Sequence, residues 1–194
     1  MDKPISMAGA RAIMGNNLLT FEENVLVPFT RAELFEARRA SFSLFHIPEG
    51  SLRAFPKGME HVHVDADIED VRREEWIHKS SPSAFILSFA FPYPGTTGLP
   101  FWEQEKRVSM RDLFTPYEIV CMSALYKTAG KGKLFEGALR TNAVIQGAMS
   151  HLHTYPLTAI LTFDEQENIR ITRGYTSQVN PNLGVLAGTR RLAV

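Results

Sequence analysis

The stretch TPYEIVCMSALYKTAG, Thr115 to Gly130, decides the fold. Thr115 stands at the N-cap, Pro116 at the first helical position, and Glu118 three residues after the threonine. This is a capping box, in which hydroxyl and carboxylate satisfy orphan amides of the first turn. From Ile119 to Tyr126 no residue is charged, so the predicted helix has no face to give to water and has to be buried. Gly130 ends it as a left-handed residue, with Lys127 near the negative helix end.

A helix that is apolar all round needs partners on every side, and the flanking sequence predicts strands. Downstream these are Leu134 to Arg140, Val144 to His153, Leu157 to Phe163 and Ile169 to Tyr175. The last two are joined by the polar loop Asp164 to Asn168, of hairpin length. From Thr176 the chain reads as an irregular tail. Upstream, Ser83 to Phe91 and Ser41 to Ile47 read as buried strands, the latter with apolar residues on both faces. His61 to Asp67 alternates, with His61, His63, Asp65 and Asp67 on one face and Val62, Val64 and Ala66 on the other. Glu69 to Glu75, with Ile68 and Val71 at helical spacing, reads as a surface helix. Thr20 with Glu23 and Thr30 with Glu33 suggest two further capping boxes, separated by Pro28, the second opening a helix from Arg31 to Ala40. Residues 1–13 read as a loose extension, and 14–194 as one α+β domain with a mainly antiparallel sheet packed on the central buried helix.

Composition agrees with a globular domain. Hydrophobic residues make up 44% of 194 residues, enough to form a core and to exclude a disordered chain. Lys plus Arg (21) equals Asp plus Glu (21), so no net field recruits nucleic acid or an anionic membrane. The one cysteine, Cys121, excludes an internal disulfide and a cysteine-rich zinc site, and it fits a cytoplasmic setting. No apolar run approaches the ~20 residues of a membrane span, and the first 13 residues lack the apolar core of a secretory signal.

Chemistry-bearing residues are few. His61 with His63, and His151 with His153, each put two imidazoles on one strand face, where they could share a divalent metal if the strands became neighbours. The competing reading is a solvent-facing strand row plus a partly buried pair, and it is preferred, so no cofactor is expected. Gly130-Lys131-Gly132-Lys133 follows a helix instead of preceding one, the reverse of a phosphate loop. Cys121 sits in an apolar helix, where a thiol is inert. Lys131, Lys133, Arg170 and Arg173, with Arg190 and Arg191, are candidates for a local basic patch. Phe101 and Trp102 follow the Pro92 to Gly98 loop that holds Tyr93; with Arg140 they are the candidates for a ligand pocket or an interface.

Met14-Gly15-Asn16-Asn17 with Glu22-Glu23, Pro94-Gly95-Thr96-Thr97 with Trp102-Glu103-Gln104, Gly130 to Phe135, Leu139-Arg140-Thr141 and Leu183-Gly184 together resemble a family of small bacterial proteins of uncharacterised function. The resemblance covers most of the chain from Met14 onward, and is weakest around His61 and His63. It implies a bacterial origin and a self-contained domain, and it brings no activity. The expectation is a non-enzymatic binding or interaction protein with a protein or small-molecule partner, a homo-oligomer included. The alternative is a metal-dependent enzyme using the two histidine pairs.

Overall fold

A computed structural model describes residues 4–54, 64–66, 80–89, 91–145 and 157–193. In chain order the elements are β1 (Ile5–Ser6), α1 (Met7–Met14), β2 (Leu18–Leu19), β3 (Leu26–Val27), α2 (Arg31–Arg39), β4 (Ser43–Ile47), β5 (Val64–Ala66), β6 (Ala84–Ser88), α3 (Phe101–Arg107), β7 (Asp112–Leu113), α4 (Pro116–Thr128), β8 (Ala138–Ile145), β9 (Leu157–Phe163), β10 (Ile169–Tyr175), β11 (Leu183–Val185) and β12 (Ala187–Leu192).

Every residue of α4 from Pro116 to Leu125 is buried. The reason is that two five-stranded sheets, the first with two parallel and two antiparallel pairings and the second mostly antiparallel, contribute to the core around it. One runs in the order β11-β8-β9-β10-β5, the other β2-β4-β6-β12-β7. Leu139, Leu157, Ala159, Leu161, Ile169 and Ile171 of the first sheet and Phe45, Ile47 and Ile86 of the second share one core with Ile119, Val120, Met122 and Leu125. The Thr115–Glu118 capping box forms as the sequence predicts, and Gly130 adopts φ +70° just beyond the helix. The class is α+β, with a central buried helix.

The second sheet is buried on its other face too. Period-two alternation turns Leu44, Phe85 and Leu87 toward α1 and α2, where Met7, Ala10, Ile13, Met14, Phe29 and Leu34 complete a second core. Residues 5–13 are therefore not a loose extension. Ile5 and Ser6 pair with Val27 and Leu26, Ser6 caps α1, and the apolar side of α1 is buried. The Thr30–Glu33 capping box opens α2 as expected. No helix starts at Thr20: its hydroxyl turns onto Glu22, accepting from the backbone N–H at 2.9 Å and donating to the carbonyl at 2.6 Å. That local loop competes with a helical start.

Two more differences matter below. Phe101–Arg107 is helical although no periodicity announced it. The predicted tail contains β11 and β12, and β12 lies inside the second sheet between β6 and β7. Only Leu186 separates β11 from β12, so the chain passes from one sheet to the other at a single buried residue. The strand predicted from Leu134 begins instead at Ala138, with Leu134 and Phe135 packing as loop residues of the core. The predicted helix at Glu69 to Glu75 lies outside the described residues. Among the described residues no helix is long and apolar enough to cross a membrane.

Candidate functional site

The N-terminal end of α4 opens into a cavity of about 670 Å³, within the range of small-molecule sites. Its polar wall comes from three elements. Asp112 belongs to β7, Thr115 and Glu118 to the first turn of α4, and Arg190 to β12. Ser80, Ser81 and Asn142 add hydroxyls and an amide, while Pro82, Ala84, Pro116 and Leu192 give it an apolar part.

These groups hold one another in place. Glu118 Oε2 accepts the Thr115 backbone N–H at 2.8 Å, completing the capping box, and Thr115 Oγ1 accepts the Glu118 N–H at 3.2 Å. The other carboxylate oxygen, Oε1, accepts from the Arg190 guanidinium at 3.0 Å. Asp112 Oδ2 accepts the Arg190 backbone N–H at 2.8 Å. Asn142 donates to the Leu113 carbonyl at 3.3 Å, and the Tyr117 hydroxyl donates to the Pro48 carbonyl at 3.0 Å. Burial holds the Tyr117 phenol above its ordinary range, so it stays a neutral donor. The helix N-terminus is thus already capped; Glu118 meets the Arg190 guanidinium and Asp112 the Arg190 backbone.

The sequence hides this site, because from Thr176 onward, Arg190 and Arg191 included, it reads as an irregular tail. On a strand, adjacent residues face opposite ways. Arg190 lies opposite Ile86 and reaches Glu118; Arg191 lies opposite Phe85 and reaches Glu33 at 2.5 Å, with its guanidinium 4.5 Å from the centre of the Phe29 ring. Both capping-box glutamates are gripped by neighbouring arginines of one strand. The signal was present, as two Thr-x-x-Glu boxes and one Arg-Arg pair, but it is visible only once residues 187–192 are known to be a strand.

The other candidates are scattered. Phe101 is buried against Val108, Val185 and Ala187, with Tyr93 packed beside it, so these two fill a small third core. Trp102 points outward and is 54% exposed. Arg140 is only 1% exposed, and its two terminal nitrogens donate to Leu99 O, Gln104 Oε1, Tyr175 O and Gln178 O. It ties chain segments together and has no terminal N–H left for a ligand. The basic candidates share no single face. Lys131 donates to Asn17 Oδ1, Lys133 sits 4.0 Å from Glu167, and Arg170 and Arg173, three apart on β10, lie on opposite faces of the first sheet. Cys121 is buried and free, its thiol pushed up to about 12 by burial. His61, His63, His151 and His153 lie outside the described residues; among the described residues no group of three or more His, Cys, Asp or Glu could hold a metal ion.

No family model, no curated protein and no solved structure matches the chain. The resemblance from Met14 onward therefore assigns no role to any residue of this cavity.

Proposed function

We propose that the chain is a binding protein that takes a small polar molecule into the cavity at the N-terminal end of α4, with no chemical step at that place. The observation that carries this reading is the pre-set polar wall. Asp112, Glu118 and Arg190 are fixed by backbone and side-chain hydrogen bonds on three separate elements, so little ordering has to be supplied when a ligand arrives. Asp112 and Glu118 with Arg190 as the charged residues of the wall leave a net negative lining, and the Glu118 amide of the first turn is already engaged. That favours a neutral or cationic molecule bearing N–H or O–H donors over a phosphate or a carboxylate. A cytoplasmic setting belongs to the same reading, because the free, buried Cys121 asks for no oxidising compartment.

A thermal-shift screen with small amines and amino alcohols on one side, and phosphates and carboxylates on the other, tests it. The first group is expected to raise the melting temperature, since a ligand at 100 times its Kd adds roughly 2.7 kcal/mol. Asp112→Asn keeps an acceptor for the Arg190 N–H and removes the charge, and is expected to abolish the shift. A screen without any stabilising amine, or a shift unchanged in Asp112→Asn, overturns the proposal.

A further inference from the structure

The opposite face of the second sheet carries a polar group that the cavity does not use. Pro82 and Ala84 line the cavity; Ser83, between them, turns the other way, as strand alternation requires. There it meets His46 of β4, which is fully buried with its ring 4.6 Å from that of Phe85. His46 Nε2 lies 3.0 Å from Ser83 Oγ, and Nδ1 lies 3.4 Å from Thr20 Oγ1.

The hydrogen-bond partners assign the proton to one nitrogen. Thr20 spends its single hydroxyl hydrogen on the Glu22 carbonyl at 2.6 Å, so toward His46 it can only accept, and Nδ1 must be the N–H. The buried ring is neutral, so Nε2 is a bare lone pair, and the Ser83 hydroxyl donates to it. The order hydroxyl, imidazole base, acceptor that fixes the tautomer is the arrangement that activates a serine. Ser83 itself is partly exposed, one residue before the start of β6, with its carbonyl accepting from Ala193 N–H at 3.0 Å.

We propose that Ser83 is a nucleophile toward small carboxylic esters, with His46 as its general base and Thr20 as the positioning residue that holds the tautomer. Ser83 Oγ bonds to the ester carbonyl carbon while its proton passes to His46 Nε2. The alcohol leaves with that proton; water, deprotonated by the same nitrogen, then bonds to the acyl carbon, and as the bond to Ser83 Oγ breaks His46 returns the proton to Oγ, releasing the free acid. The site lies across the sheet from the cavity, and neither proposal depends on the other.

The test is labelling of the full chain with a fluorophosphonate, which forms an Oγ–P bond as the P–F bond breaks and fluoride leaves, read by intact mass and peptide mapping. One adduct on Ser83 is expected, absent in Ser83→Ala. Labelling is expected to slow at least about tenfold in His46→Gln, given what a general base contributes. Thr20→Val keeps shape and base while removing the acceptor, so it decides the matter should His46→Gln fail to fold; it too is expected to slow labelling. No adduct on Ser83, or an adduct that forms at the wild-type rate in Thr20→Val, overturns the proposal.

Discussion

His46 shows how much one residue's surroundings decide. On the sequence it is one of six histidines and an unremarked member of a strand. In the fold, burial holds its imidazole below the ordinary value of 6.5, with Glu22 opposing the shift more weakly. The unfolded chain then binds a proton that the folded chain refuses, so stability is full above the unfolded pKa and is lost as pH falls from there through the folded pKa. The melting temperature is expected to drop between about pH 7.5 and about pH 5.5, and to drop less in His46→Gln. Equal slopes for the two proteins would show that protonating this ring costs the fold nothing. Glu33, held low by the Arg191 guanidinium, moves stability in the same direction, but its share is lost only at more acid pH. Arg140 remains protonated at neutral pH although burial lowers it to about 10. Among the described residues its terminal N–H groups meet only neutral oxygens, so it acts as a strut and not as a ligand for anions.

At the scale of elements, α4 is the case where local sequence and tertiary role agree. Its capping box starts it, Gly130 stops it, and its uncharged run asks for burial on every side. The two sheets meet that demand. Leu125 is 3% exposed in the core that both sheets share, so Leu125→Ala is expected to cost about 2–5 kcal/mol in a denaturant titration. A loss below about 0.5 kcal/mol would place this helix at the surface. The short α3 is the reverse case. Phe101 alone anchors it with Gln104, whose amide donates to Thr96 O at 2.8 Å and to Leu183 O at 2.9 Å. Those contacts come from residues 8 and 79 positions away, which no local pattern could announce.

For the whole molecule, β12 is the piece on which the assembly turns. It supplies the neighbour of β6, the partner of edge strand β7, and both arginines that clamp the N-terminal turns of α2 and α4. Gly188 is needed there because a Cβ would lie 2.1 Å from the Leu87 carbonyl oxygen. Deleting residues 187–194 would expose the edge of β6 and leave Glu118, almost fully buried, without its guanidinium partner. Such a chain is expected to lose cooperative unfolding by calorimetry and to bind a hydrophobic dye; a sharp transition near that of the full chain would show that β12 is an accessory strand.

The sequence by itself determined α4, α2, the strands β4, β6, β9 and β10, and the inertness of Cys121, because each is written in spacing or capping over a few consecutive residues. Only the tertiary structure decided the cavity, the packing of α1, and the placement of β12. Ala187 to Leu192 has no alternation to read, since Arg190 and Arg191 face opposite sides of a sheet that is covered on both. Their partners, Glu118 and Glu33, stand 72 and 158 residues away. A strand whose polar residues are paired across layers looks like a solvated tail until the layers are in place.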